Sequence, residues 1–81
     1  MILPTKHLAP DRALLTMGGE ILEILADAKT VSQAWEDFQD LRERRWPAQA
    51  LRFEWFVLAL DLLFALEVVQ LDRGRLYRRS A

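Results

Sequence analysis

The sequence predicts a mainly α-helical domain that ends in a β-hairpin, a layout like that of a winged helix-turn-helix. Three observations predict it. Thr30 and Gln33 form a T-x-x-Q capping box before an apolar-periodic run. Pro47 forces the residue before it out of helical geometry, and the segment DRGR supplies the glycine of a tight turn. One domain of residues 1–81 is expected, with an extended arm at 1–9, helices at about 10–27, 31–45 and 53–67, and a hairpin at about 68–79.

Composition limits the possible functions. The 81 residues are 52% apolar and 28% charged, which is typical of a globular chain. The net charge of −1 provides no overall attraction to nucleic acid or to an anionic membrane. The chain has no cysteine, which excludes disulfides and thiolate metal sites and is compatible with a reducing cytoplasm. The segment MILPTKHLAP lacks the pattern of a signal peptide, so a cytoplasmic location is expected.

The first two helices each carry one apolar face. Pro10 suits the first turn of the first helix, and its face is formed by Leu14, Gly18, Ile21, Leu22 and Leu25. Gly18 and Gly19 weaken a helix interior, so another helix or a tryptophan is expected to approach them closely. The alternative is that the helix breaks at these glycines. The apolar face of the second helix is formed by Val31, Ala34, Trp35, Phe38 and Leu41, and its polar residues, Arg42 included, are expected to face water.

The third helix is apolar on nearly every side. The stretch FEWFVLALDLLFALEVV, residues 53–69, contains only three charged residues, Glu54, Asp61 and Glu67. Its core of residues 53–66 would span roughly 20 Å, too short for a hydrocarbon layer of about 30 Å. Asp61 would also lie near the centre of the bilayer, which is costly. A membrane span is therefore excluded, which leaves a helix buried in its own domain or held by another protein.

This helix occupies the position of a DNA-recognition helix but lacks the residues that read DNA. Between 53 and 66 it has no Arg, Lys, Asn, Gln or Ser. Glu54 and Asp61 lie about 20° apart on one narrow stripe that DNA would repel. The expected protein-binding surface is this stripe with its apolar flanks, Trp55, Leu58 and Leu62 on one side and Val57 and Phe64 on the other. The two acids are expected at the rim of the interface, pairing with a partner's arginines. The alternative is that all of these residues are core.

Catalytic, metal and cofactor sites are not predicted. His7 is the only histidine and has no acid or second ligand nearby in the sequence. Glu54 and Asp61 are more typical of a solvated stripe than of an acid–base pair. The C-terminal hairpin carries Arg73, Arg75, Arg78 and Arg79, which could contact nucleic acid or an acidic partner. They could equally serve to keep the hairpin edge soluble.

Several segments together resemble a known family. ILPTKHL, DRALLTMGGEIL, KTVSQAWEDF, FEWFVLALDLLFAL and GRLYR look like middle component type six of the bacterial ABC-three-component systems. The resemblance covers nearly the whole chain. It implies a winged-helix protein encoded between an SMC- or Rad50-like ABC ATPase and a third component, with a role in defence against phages or other mobile elements. Arg52 departs from the small polar cap that would be expected before the third helix.

The resemblance and the residue pattern both predict a non-catalytic adaptor. Its expected partners are the ABC ATPase and the third component, with DNA contacted only indirectly through the complex and no membrane contact. Two alternatives stay open: a winged-helix DNA-binding transcription regulator, and a domain that buries its third helix in a homodimer. The acidic stripe disfavours the regulator, and nothing in the sequence excludes the homodimer.

Overall fold

Three helices and a three-stranded antiparallel sheet form the part of the chain that the computed structural model describes, residues 10–47 and 52–79. The elements in order are α1 (Pro10–Ile24), β1 (Lys29–Thr30), α2 (Val31–Arg45), α3 (Phe53–Ala65), β2 (Val69–Asp72) and β3 (Arg75–Arg78). The prediction of a mainly α fold with three helices and a C-terminal hairpin is confirmed. The proposed N-terminal arm, residues 1–9, lies outside the described residues.

The strand β1 was not predicted. It pairs antiparallel with β3, with Lys29 opposite Leu76 and Thr30 opposite Arg75, and β3 pairs in turn with β2. The strand order is therefore β1-β3-β2, which ties the segment between α1 and α2 to the C-terminal hairpin. A two-residue strand is too short to show the alternation by which strands are recognised in a sequence.

The helix α1 packs closely against α3 at one glycine. A Cβ atom on Gly18 would lie 3.2 Å from Leu63 Cδ2, so the missing side chain allows the two helices to approach. The predicted close approach is confirmed for Gly18 but not for Gly19, whose added Cβ would meet no atom within 4 Å. Met17 and Ile21 are fully buried on the core face of α1. The helix ends at Ile24, about three residues before the predicted end.

The N-terminus of α2 has only half of the predicted capping box. Thr30 Oγ1 accepts a hydrogen bond of 3.2 Å from the backbone N–H of Gln33, as the box requires. The side chain of Gln33 does not return to the Thr30 backbone but donates through Nε2 to Asp37 Oδ1 at 2.9 Å. Thr30 alone therefore caps the helix, and Gln33 serves an i, i+4 pair on its surface.

The C-terminus of α2 holds a buried ion pair that corrects the predicted orientation of Arg42. The helix ends at Arg45, and Trp46 before Pro47 leaves helical geometry with φ −134° and ψ 63°. Arg42 was expected to face water, but it is only 5% exposed. Its Nη1 lies 2.5 Å from Oε1 of Glu20, which is 4% exposed on α1. The charge is buried because a carboxylate on the neighbouring helix compensates it.

The helix α3 ends in a turn that usually requires glycine. Glu67 adopts a left-handed conformation with φ 61°. Its N–H donates a hydrogen bond of 3.0 Å to the carbonyl oxygen of Phe64, and the N–H of Val68 donates one of 3.1 Å to the carbonyl oxygen of Leu63. These two bonds form a Schellman motif, which closes the helix after Ala65 and directs the chain into β2.

The hairpin turn follows the prediction from DRGR. Arg73 and Gly74 connect β2 to β3 with φ values of 53° and 78°, and a type I′ turn needs a positive φ at both positions. On the outer face of the hairpin, Tyr77 Oη donates a hydrogen bond of 2.6 Å to Oε1 of Gln70, which lies opposite it.

Candidate protein-binding surface

One side of α3 forms the centre of the hydrophobic core. Phe56 is fully buried, with its ring centroid 5.4 Å from that of Phe38 and 5.2 Å from that of Trp35. The other buried residues of the helix are Trp55, Ala59, Leu60 and Leu63. Trp55 was expected beside the acidic stripe as a contact residue, but it is only 7% exposed and packs in the core cluster. It is therefore not part of an accessible surface.

The opposite side of α3 is also apolar, although it faces away from the core. Leu58 is 50% exposed, Phe53 48% and Val57 37%, while Leu62 and Phe64 are half-buried. At about 100° per residue these side chains form two rows along the helix. The outer surface of α3 consists of a first row of Phe53, Val57 and Phe64, a second row of Leu58 and Leu62, and the two acids Glu54 and Asp61.

The two acids lie between the apolar rows and not outside them. On the helix, Glu54 and Asp61 fall at about 80–100° from Phe53, whereas the rows fall at about 0–40° and 140–180°. Glu54 Oε1 lies 3.2 Å from Arg52 Nη2, and both side chains are well exposed. Asp61 is exposed and makes no ion pair or hydrogen bond with any residue in the described ranges. A partner that covered both rows would therefore also cover Asp61.

Phe53 belongs to this surface, and the sequence analysis missed it. Its ring lies edge-on to that of Trp35 with centroids 5.0 Å apart, so the first row continues onto α2. Trp35 is half-buried, and Val31, one turn earlier on α2, is 37% exposed. The i, i+4 relation between Phe53 and Val57 was the available signal.

The hairpin presents basic side chains. All four arginines named from the sequence, Arg73, Arg75, Arg78 and Arg79, are exposed. Arg75 lies opposite Asp72 in the strand register, and Arg79 Nη1 lies 3.9 Å from Oε1 of Glu67. These contacts are too open to neutralise the arginines, because exposed ion pairs are weak in water. The hairpin is therefore a basic surface, unlike the outer surface of α3.

The described residues contain no group of three or more His, Cys, Asp or Glu side chains that could hold a metal ion. His7 lies outside these residues. An open depression of about 230 Å³ is lined by Ile24, Lys29, Asp37, Asp40 and Arg44. Lys29 Nζ lies 2.8 Å from Asp37 Oδ2, and this hydrogen bond holds the pKa of the Asp37 carboxyl below its ordinary value. The lysine and the carboxylate in this depression thus satisfy each other.

Comparison with known proteins assigns the chain to a family. The family model described as ABC-three component (ABC-3C) system Middle Component 6 matches residues 3–80. The chain belongs to this family. The resemblance seen in the sequence segments is thereby confirmed, while no curated protein and no solved structure matches the chain. As one component of a multi-protein system, this middle component has protein partners. None of its helices in the described ranges is long and apolar enough to cross a bilayer.

Proposed function

We propose that this middle component is a non-catalytic adaptor that bridges the ABC ATPase and the third component of its system. The complex would act against phages or other mobile elements, as the sequence resemblance implies. The observation that supports the proposal is the outer surface of α3, where Phe53, Val57 and Leu58 are between 37% and 50% exposed. Large apolar side chains grouped on one helix face are typical of a protein-binding surface.

The side chains of this surface favour a protein partner over DNA. α3 follows a helix pair and precedes the hairpin, as a recognition helix does in a winged helix-turn-helix. Base edges and phosphates need donors such as Arg, Asn or Gln, and the outer surface of α3 offers two carboxylates and five apolar side chains. An apolar protein surface matches these side chains better than a nucleic acid does.

Bridging requires a second contact, and the hairpin provides a candidate. Its four arginines are exposed and differ in charge from the outer surface of α3. Two surfaces of opposite charge on one small domain would hold two different partners without competition between them. The apolar surface on α3 would supply most of the affinity, because buried aliphatic and aromatic side chains dominate interface energies.

Replacing Leu58 with glutamine is expected to weaken binding to the component that docks on α3 by roughly 2 kcal/mol, about 30-fold in Kd. The side chain is 50% exposed, so the thermal transition of the isolated chain should change little. Co-expression of the three components, followed by affinity purification and titration of the purified partners, measures the effect. The matched control is Leu15→Gln on α1, where a similarly exposed leucine, at 57%, lies outside α3.

Full binding by Leu58→Gln, or an equal loss with Leu15→Gln, would contradict the assignment of the interface to α3. Unfolding of Leu58→Gln would show that the second row serves the core of the domain itself. A homodimer of the isolated chain that Leu58→Gln dissociates, with no binding to the other components, would favour the self-association alternative. Analytical ultracentrifugation separates these last two outcomes.

The exposed arginines of the hairpin favour a second candidate function, direct DNA binding by a transcription regulator. For an adaptor, we expect DNA binding by the chain alone to be weak and unspecific. Few phosphate contacts are available, and the net charge of the chain is −1. Gel shifts at physiological salt, with Arg73→Ala/Arg75→Ala as the control for hairpin contacts, provide the measurement. A sequence-selective complex at about 10⁻⁸ M or tighter would support the regulator instead.

A further inference from the structure

The two carboxylates on the outer surface of α3 restrict the chemistry of whatever covers it. Asp61 lies between Val57 of the first row and Leu58 of the second, and has no partner among the described residues. A surface that covered both rows would remove water from this carboxylate. Removing water from an unpaired carboxylate costs binding free energy. The covering surface must therefore carry a compensating cation or leave Asp61 in contact with water.

The spacing of the acids adds a geometric requirement. Glu54 and Asp61 are seven residues apart, so they lie on one side of the helix and about 10 Å apart along its axis. A second helix that runs along α3 presents its own side chains at the same seven-residue interval. Basic residues seven positions apart on such a helix would face both acids at once, with apolar residues on either side of them facing the two rows.

Resting on the proposed adaptor function, we propose that the outer surface of α3 binds an amphipathic helix of a protein partner, whose apolar face carries a central arginine or lysine opposite Asp61. Arginine fits best, since its guanidinium can bind a carboxylate with two hydrogen bonds. The second acid is already near a guanidinium, because Arg52 lies 3.2 Å from Glu54. This exposed ion pair is weak, but it gives Glu54 a nearby cation within the chain. Asp61 has no such cation in the described ranges, so it is the acid that most needs one from the partner.

A charge pair at the centre of the interface affects binding differently from one at its rim. A charge pair at the rim mainly changes the association rate and is screened by salt. A pair enclosed by apolar rows is part of the interface core, where loss of one charge leaves the other buried without compensation. Binding would then depend on Asp61, and an apolar residue in its place would weaken binding even though it makes the surface more apolar.

The test replaces Asp61 with leucine, which would join the two rows into one continuous apolar surface. The probe is the co-expressed ABC ATPase, or the third component if that subunit is the one that Leu58→Gln releases. We expect Asp61→Leu to raise Kd by about tenfold or more and Asp61→Asn to raise it as well, mainly through faster dissociation. Thermal denaturation of the isolated variants checks that the exposed position leaves the fold intact.

Unchanged or tighter binding by Asp61→Leu would overturn the inference, since an apolar partner without a central cation would gain from the added side chain. If Leu58→Gln still loses binding in that case, the adaptor proposal stands and only the cation is refuted. If Leu58→Gln also binds normally, both proposals fail together. A loss seen only as slower association, and abolished by added salt, would place the charge at the rim and refute the central position.

Discussion

Replacing Glu20 with alanine is expected to lower the free energy of unfolding by about 3–5 kcal/mol, the cost of leaving one charge of a buried pair unpaired. Arg42 would remain 5% exposed with its guanidinium in the position where Glu20 Oε1 now accepts its hydrogen bond. Trp46 Nε1, at 3.5 Å from Oε2, would also lose its acceptor, whereas Arg45 Nη1, at 3.4 Å from Oε2, would keep its bond to Glu23. Denaturant unfolding followed by circular dichroism measures the change.

The effect is large compared with the stability that a domain of this size can have. At roughly 0.05–0.15 kcal/mol per residue, 81 residues provide about 4–12 kcal/mol, so Glu20→Ala brings the fold close to its limit. The control is Glu20→Leu/Arg42→Met, which removes both charges and fills their volume with apolar atoms. It should recover much of the loss, since apolar replacement of a buried pair is often neutral or stabilising. A double variant as unstable as Glu20→Ala would show that packing, and not an unpaired charge, explains the result.

The parts of the fold that follow from local chemistry could be predicted from the sequence, and those set by distant contacts could not. Thr30 caps α2, and Gly74 provides one of the two positive φ values of the hairpin turn. The end of α3 was placed about two residues too late because Glu67 gives no stop signal. It adopts φ 61° because the Schellman bonds and the return of the chain into β2 hold it there. The strand β1 likewise exists only because β3 lies beside it.

The candidate surface shows the same division. Helical periodicity placed Leu58 beside the acidic stripe, and the side chain is 50% exposed there, because periodicity depends only on residue spacing. Trp55 was expected at the surface with the rest of its flank, but its position near 200° around the helix directs its ring into the core cluster. Arg42 was expected in water because no signal in the sequence of α2 reveals that Glu20 of another helix lies 2.5 Å away. Pairing between helices decides whether a charge at a helix boundary is buried.

Variants of two phenylalanines three residues apart on α3 should separate its role in the core from its proposed role in partner binding. Phe56 is fully buried against Phe38 and Trp35, so Phe56→Ala is expected to cost about 3–5 kcal/mol of unfolding free energy through lost burial and the cavity left behind. Phe53 is 48% exposed and touches the cluster by ring contacts with Trp35 and Phe56 at 5.0 and 5.8 Å. Its replacement should cost about 1 kcal/mol, in the range of an aromatic pair.

The pair of variants decides whether the apolar character of α3 serves its own core or a partner. Denaturant unfolding gives the stability of each variant, and titration with the co-expressed components gives the affinity of Phe53→Ala, which should fold. We expect Phe53→Ala to weaken partner binding by more than it destabilises the chain, since half of the ring contributes nothing to the core. If Phe53→Ala destabilised the domain as much as Phe56→Ala and bound partners normally once folded, Phe53 would belong to the core. The outer surface of α3 would then be reduced to Val57, Leu58 and the half-buried Leu62 and Phe64, and a partner helix would contact a smaller apolar surface.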